Sequence, residues 1–225
     1  CMRTLYPEIE PNNRFNIQID SIHSLYIEES GNPSGIPVIF IHGGPGAGSN
    51  ENHRRYFSPD HYRIINFDQR GCNRSTPAGE IRSNTTQDLI SDMEQIRSKL
   101  KIDRWLIFGG SWGSTLGLLY TQTYPGYVIG LILRGTFLAR QSDLDWFVKN
   151  GVNRIFPEAW KRFINHVPTT EQDDPVDSYY KLIQDKEVQV RLDAAKHWSN
   201  WSATVVSYLL SPNEFISHDA TDKIV

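Results

Sequence analysis

Residues 104–117 read Arg-Trp-Leu-Ile-Phe-Gly-Gly-Ser-Trp-Gly-Ser-Thr-Leu-Gly. The apolar run Trp105 to Phe108 stops at Gly109-Gly110-Ser111-Trp112-Gly113, and Leu116, Leu119 and Tyr120 then recur at helical spacing. This predicts a strand, a tight turn and a helix, with Gly-x-Ser-x-Gly at the turn. A serine hydroxyl is a weak nucleophile until it is held clear of the backbone and beside a base. A sharp strand-to-helix turn pushes Ser111 outward, and Gly109 and Gly113 leave room for the two elements to close around it. The helix N-terminus behind Ser111 supplies free N–H groups and partial positive charge for a developing oxyanion. A turn that merely needs small residues would look the same, so the flanking sequence has to decide.

Upstream, Phe15, Ile17 and Ile19 alternate with polar neighbours, and Leu25 and Ile27 continue the alternation after a turn near Asp20-Ser21. These are two strands with a period-2 face. Val38-Ile39-Phe40-Ile41 is apolar throughout and predicts a strand buried on both faces. It ends in His42-Gly43-Gly44-Pro45-Gly46. A polar connector leads to a strand over 62–67 and then to Asp68-Gln69-Arg70-Gly71-Cys72-Asn73-Arg74-Ser75. Residues 85–100 form a helix with Leu89, Ile90, Met93, Ile96 and Leu100 on one face and Thr85 with Asp88 as a capping box. Downstream, Pro125 ends the helix that follows Ser111, and 128–133 is read as another buried strand. Short apolar strands alternating with helices predict a mostly parallel sheet covered on both faces. Ligands in such sheets sit at the carboxyl ends of the strands. The loops at His42, Asp68 and Ser111 all fall there, so they should meet in one crevice.

From about Leu138 no further buried strand is seen. Residues 143–149, 157–167, 175–183 and 186–210 read as helical, with Pro157 and Pro175 suited to first-turn positions. The expected organisation is an α/β core over 1–137 and a helical cap over 138–225. The 225 residues are 39% hydrophobic and 22% charged with a formal net charge of −3, which gives no sign of a nucleic-acid or anionic-membrane partner. Cys1 and Cys72 make no disulfide framework, so a reducing cytoplasm is the simplest setting. Glu8, Glu10, Asn12 and Asn13 come too early for a signal peptide, and no apolar run approaches the ~20 residues of a membrane span.

The glycines of His42-Gly43-Gly44-Pro45-Gly46 let the backbone approach a substrate. The Gly44 N–H is therefore a candidate oxyanion donor, with the Trp112 N–H, directly after the nucleophile, as the second. Together these segments resemble the α/β-hydrolase fold, and more narrowly the proline iminopeptidase (prolyl aminopeptidase) family. The resemblance rests on His42-Gly43-Gly44-Pro45-Gly46, Asp68-Gln69-Arg70-Gly71-Cys72, Gly109 to Leu116, Ala194-Ala195 with Trp198-Ser199-Asn200-Trp201, and the opening Leu5-Tyr6-Pro7-Glu8. It covers nearly the whole chain. It implies a serine hydrolase that releases an N-terminal proline from small peptides without cofactor or metal. It also implies Ser111 as nucleophile and Gly44 and Trp112 as oxyanion hole. An esterase or amidase on the same scaffold, and a catalytically incomplete ligand-binding chain, are the alternatives. Oligomeric state is not legible.

Three departures from the family pattern stand out. In this fold the order of the triad is Ser, Asp, His. The histidines after Ser111 are His166, His197 and His218, all in the helical region. The expectation is therefore that this chain is a fragment whose acid and base lie beyond Val225, with His218 as base the lesser reading. Ser202 stands where the family carries a glutamate that reads the substrate's amino group, and a charge-assisted bond of that kind is worth roughly 1.5–3 kcal/mol. Asn73 replaces a glycine in the loop after Asp68, a mild change because Asn tolerates left-handed backbone.

Trp198 and Trp201, one helical turn apart, either wall a proline-sized pocket, as the resemblance implies, or pack a core. Gly43, Asp68 and Arg70 are read as supporting residues, with Asp68 and Arg70 expected to pair as buried ions. His42 is expected to orient the glycine loop through hydrogen bonds, and Cys72 to be a small core residue.

Overall fold

Six strands form one sheet in the order β1-β2-β4-β3-β5-β6: β1 Asn13–Gln18, β2 Ser24–Gly31, β3 Ile36–Ile41, β4 Tyr62–Phe67, β5 Trp105–Gly110 and β6 Val128–Arg134. This computed structural model describes residues 5–206. The pairs β4–β3, β3–β5 and β5–β6 are parallel, and the β1–β2 pair attaches antiparallel to β4. The chain divides into two compact units, Cys1–Ala139 and Arg140–Val225.

In the first unit, strand alternation sorts the apolar side chains. Ile39, Ile41, Ile65, Phe67 and Ile107 join a core with Leu89, Ile90, Met93 and Ile96 of α1 (Thr86–Lys99) and Leu116 and Tyr120 of α2 (Trp112–Thr123). Val38, Phe40 and Ile64 point the other way and pack with Phe57, at the end of a 3-10 helix, Glu51–Tyr56, inside the connector. β3 is thus buried on both faces, as its unbroken apolar run predicts. Each fully buried Ile or Phe is worth about 1.5–3 kcal/mol over exposure. Thr85 caps α1 reciprocally with Asp88.

β6 departs from expectation. Among the described residues it is an edge strand, with Ile129 and Ile132 each 47% exposed. A continuous apolar run states that a strand is apolar; neighbours decide whether it is covered.

The second unit contains α3 Gln141–Val148, α4 Val152–Ile155, α5 Pro157–Ile164, α6 Pro175–Leu182 and α7 Val188–Val206. Pro157 and Pro175 occupy the first turns of α5 and α6, where a missing N–H costs nothing. α4 was not legible in the sequence, and the predicted helical residues 207–210 lie outside the described residues. Val152, Phe163, Val167, Tyr179, Ala194 and Trp201 form this unit's own core. Among the described residues no helix is long and apolar enough to cross a membrane.

Candidate active site

Ser111 follows β5 and precedes α2 with φ 53° and ψ −122°, a left-handed backbone that a residue with a side chain adopts only under constraint. Glycine contacts on both sides supply the constraint. A Cβ on Gly109 would lie 2.2 Å from the Gly113 carbonyl oxygen, and a Cβ on Gly113 would lie 2.1 Å from that of Ile41. The turn can be this tight only with glycine at both places. The Ser111 N–H donates to the Arg134 carbonyl at 3.0 Å, which ties the turn to the end of β6. Ser111 itself is exposed, and its hydroxyl makes no capping bond to α2. The N–H of Trp112, at the first helical position, has no intrahelical acceptor.

The glycine loop runs beside it. A Cβ on Gly43 would stand 3.2 Å from Ser111 Cβ and 3.7 Å from its Oγ. Gly44 has φ +120°, and its own Cβ would collide with the amides of Gly46 and Ala47 at 2.4 and 2.7 Å. Gly44 therefore excludes a side chain through its backbone conformation, and a side chain at Gly43 would press against Ser111.

The loop 68–75 grips this glycine loop at both ends. At the near end the Gln69 N–H donates to His42 Nε2 at 3.0 Å, and Gln69 Nε2 donates to the His42 carbonyl at 2.9 Å. At the far end the Asp68 carboxylate accepts from the Ser49 N–H at 2.6 Å and the Ser49 hydroxyl at 2.7 Å. Asn73, at φ 48°, donates to the Ser49 carbonyl at 3.1 Å. Burial alone would raise the Asp68 pKa. The Arg74 guanidinium and the two Ser49 donors outweigh it and hold the carboxyl below its ordinary range.

The expected Asp68–Arg70 ion pair is not formed. Asp68 pairs with Arg74 Nε at 2.8 Å. Arg70 turns to α1 and makes two 2.6 Å bonds to Asp92, with a further one to Asp20. Residues two apart on a loop leave on different sides, so each found its partner elsewhere. Arg70 therefore braces the loop against α1, and Arg74 serves Asp68. Arg74 also reaches Glu28, which is buried and held bidentately by Arg54 at 2.7 and 3.0 Å. Ser49 and Arg54 carried no sequence signal. Arg74 did carry one, because a buried Asp68 requires a cation and the loop offers two.

His42 is buried, and burial lowers its pKa, so it is neutral near pH 7. His53 stacks on Phe40 at a 4.1 Å centroid distance; burial, then the neighbouring His42 and Arg134, lower its pKa to about 4. Cys72 is a buried free cysteine, and burial pushes its thiol up to about 11, so it is an inert core residue. Among the described residues no histidine hydrogen-bonds the Ser111 hydroxyl. His166 and His197 stack on each other at 4.0 Å inside the helical unit, and His218 lies outside the described residues.

Trp201 is 1% exposed and packs against Trp160 and Phe163, each at 5.4 Å. Trp198 meets Phe163 at 5.8 Å and Tyr179 at 5.5 Å. Both rings pack within the helical unit, and Trp201 borders a cavity of about 90 Å³ shared with Arg162, His197 and Asn200.

Residues 36–225 match the family described as alpha/beta hydrolase fold. The chain is 49% identical over 212 residues to a probable proline iminopeptidase of Leptolyngbya boryana, covering 94% of this chain and 66% of that protein. It is 46% identical to a proline iminopeptidase of Arabidopsis thaliana, of which it covers 55%, and 44% identical to one of Xylella fastidiosa, of which it covers 70%. It thus spans between about half and 70% of the length of these relatives. Among solved structures, a proline iminopeptidase-related protein of Thermus thermophilus shares the fold at a TM-score of 0.54 and 21% identity, covering 80% of this chain and 59% of that one.

Proposed function

The chain belongs to the proline iminopeptidase family of the alpha/beta hydrolase fold, and on that premise we propose that it carries the nucleophile half of a serine aminopeptidase releasing N-terminal proline from peptides. Ser111 Oγ attacks the carbonyl carbon of the N-terminal prolyl residue and gives its proton to a general base. The carbonyl oxygen becomes an oxyanion between the N–H groups of Gly44 and Trp112. Collapse breaks the C–N bond, the departing peptide amine takes the proton, and water then hydrolyses the prolyl ester to free Ser111 and proline. Base and acid are proposed to come from chain matching the remaining length of the relatives. The helical unit is proposed to act as a cap, with Trp198 and Trp201 contributing to the proline pocket, and the compartment as the cytoplasm.

The observation that carries this reading is Ser111, exposed at φ 53° between two glycines whose substitution would meet backbone. The test is turnover of proline-linked chromogenic amides by the natural full-length chain beside Ser111→Ala. Loss of activity in the variant is expected; retained activity overturns the mechanism. Ser202 motivates a second reading, an esterase or amidase of the same fold. Faster turnover of simple esters than of prolyl amides would favour it.

A further inference from the structure

We infer that His42 is a positioning residue that aims the Gly44 N–H through the single rigid peptide plane joining Gly43 to Gly44, an inference that rests on the hydrolytic reading of Ser111. The far side of the ring fixes its tautomer. A backbone N–H can only donate, so the Gln69 N–H, 3.0 Å from His42 Nε2, requires a lone pair there. A neutral imidazole with a bare Nε2 carries its proton on Nδ1. Nδ1 lies 2.8 Å from the Gly43 carbonyl oxygen, so this contact is an Nδ1–H donating to that oxygen. The Ala47 N–H, at 3.4 Å, reinforces the hold on the same carbonyl.

The Gly43–Gly44 peptide is not among the cis bonds of the chain, and in a trans peptide the C=O and N–H point in opposite directions. Pulling the Gly43 carbonyl toward His42 therefore turns the Gly44 N–H away from it. Among the described residues no side chain holds that amide directly; its direction is inherited from the tautomer of His42. Gln69 supports both ends of the relay, gripping the ring through its N–H and the His42 carbonyl through its side-chain amide. Asp68 and Arg74 are the charged groups whose fields reach the ring, and they act in opposite senses.

Two measurements test this. In the unmodified protein, ¹⁵N shifts of the His42 ring are expected to report the neutral Nδ1–H tautomer between pH 7 and 8; an Nε2–H tautomer overturns the relay. In the natural full-length chain, His42→Asn keeps an amide donor near the Nδ1 position and loses the bond from Gln69. His42→Gln keeps an acceptor for Gln69 and loses the donor to Gly43. The relay predicts kcat on a prolyl amide within about fivefold of wild type for the Asn variant. For the Gln variant it predicts a fall of roughly 10²-fold with KM little changed, the scale of one lost oxyanion donor. Equal kcat for the two variants, or a better Gln variant, overturns the proposal, because a purely structural role would follow the Gln69 bond instead. If the Gln variant fails to fold, the tautomer measurement decides. An active Ser111→Ala protein would sink the hydrolytic reading while leaving the tautomer result intact.

Discussion

In the α/β unit, Glu28, Arg54, Asp68, Arg70 and Asp92 are all buried, each beside an opposite charge. In the helical unit Val152, Phe163, Val167, Tyr179 and Trp201 are buried, and the buried hydroxyls of Ser178 and Tyr179 are uncharged. Buried ion pairs add little net stability, since desolvation offsets attraction, but they tolerate only one arrangement of partners. Ring packing is less directional and accepts small adjustments. The unit that carries the loops proposed to hold amide hydrogens in fixed directions is the one with the charge network. The unit with no such loops is held by stacked rings, such as Phe163 on Tyr179 at 4.5 Å.

The contrast is most exposed to challenge at the elbow, which is held by sterics and owes nothing to charge. Gly113→Ala places a methyl 2.1 Å from a backbone oxygen, and we expect a loss above about 4 kcal/mol, or no folded protein. Urea denaturation with an unchanged midpoint would show that strand and helix do not pack this closely. Next in size is Asp92→Ala, which leaves Arg70 buried with the partly exposed Asp20 as its remaining ion-pair partner and Asp88 acting from farther off. A cost of about 3–5 kcal/mol is expected. If the pair serves to specify geometry, Arg70→Met combined with Asp92→Leu should recover most of that loss; an additive double variant would argue that the ions stabilise outright.

Acid should separate the two units further. The folded His53 titrates near pH 4, whereas unfolded histidine titrates near 6.5. Between these values the unfolded chain binds a proton that the native ring refuses. Stability is therefore complete above about pH 6.5 and falls as the pH drops toward 4, by on the order of 2 kcal/mol once solvent screening of a part-buried ring is allowed for. His42 adds in the same direction through its burial, and His166 does so in the helical unit. His53→Phe should flatten this slope in a series of melts across pH, and an unaltered slope would assign the loss to the other two rings. The smallest effect is expected among the rings: Phe163→Leu should cost roughly 1–2 kcal/mol, because an apolar neighbourhood can partly close up. A loss as large as that of Asp92→Ala would erase the distinction between the two units.

Much of the site is legible in the chain. The elbow, the glycine loop and the capping box at Thr85 and Asp88 depend on residues within a few positions of one another, and local backbone geometry limits what such residues can do. Prediction failed where reach exceeded sequence distance. Arg70 and Arg74 were equally available to Asp68, and the strand order sent Arg70 to α1, 22 residues away. Ser49 looked like connector, yet it closes the far end of the glycine loop. β6 read as buried from its composition and lies at the edge of the described sheet.

A serine at a glycine-walled bend after a buried strand could be read at position 111 without coordinates, because that outcome follows from backbone sterics within five residues. Which arginine meets which aspartate could not, nor could the donation of Nδ1–H from His42 to the Gly43 carbonyl. A long guanidinium stem or a two-nitrogen ring can serve several partners, and the packing of distant strands and loops selects one.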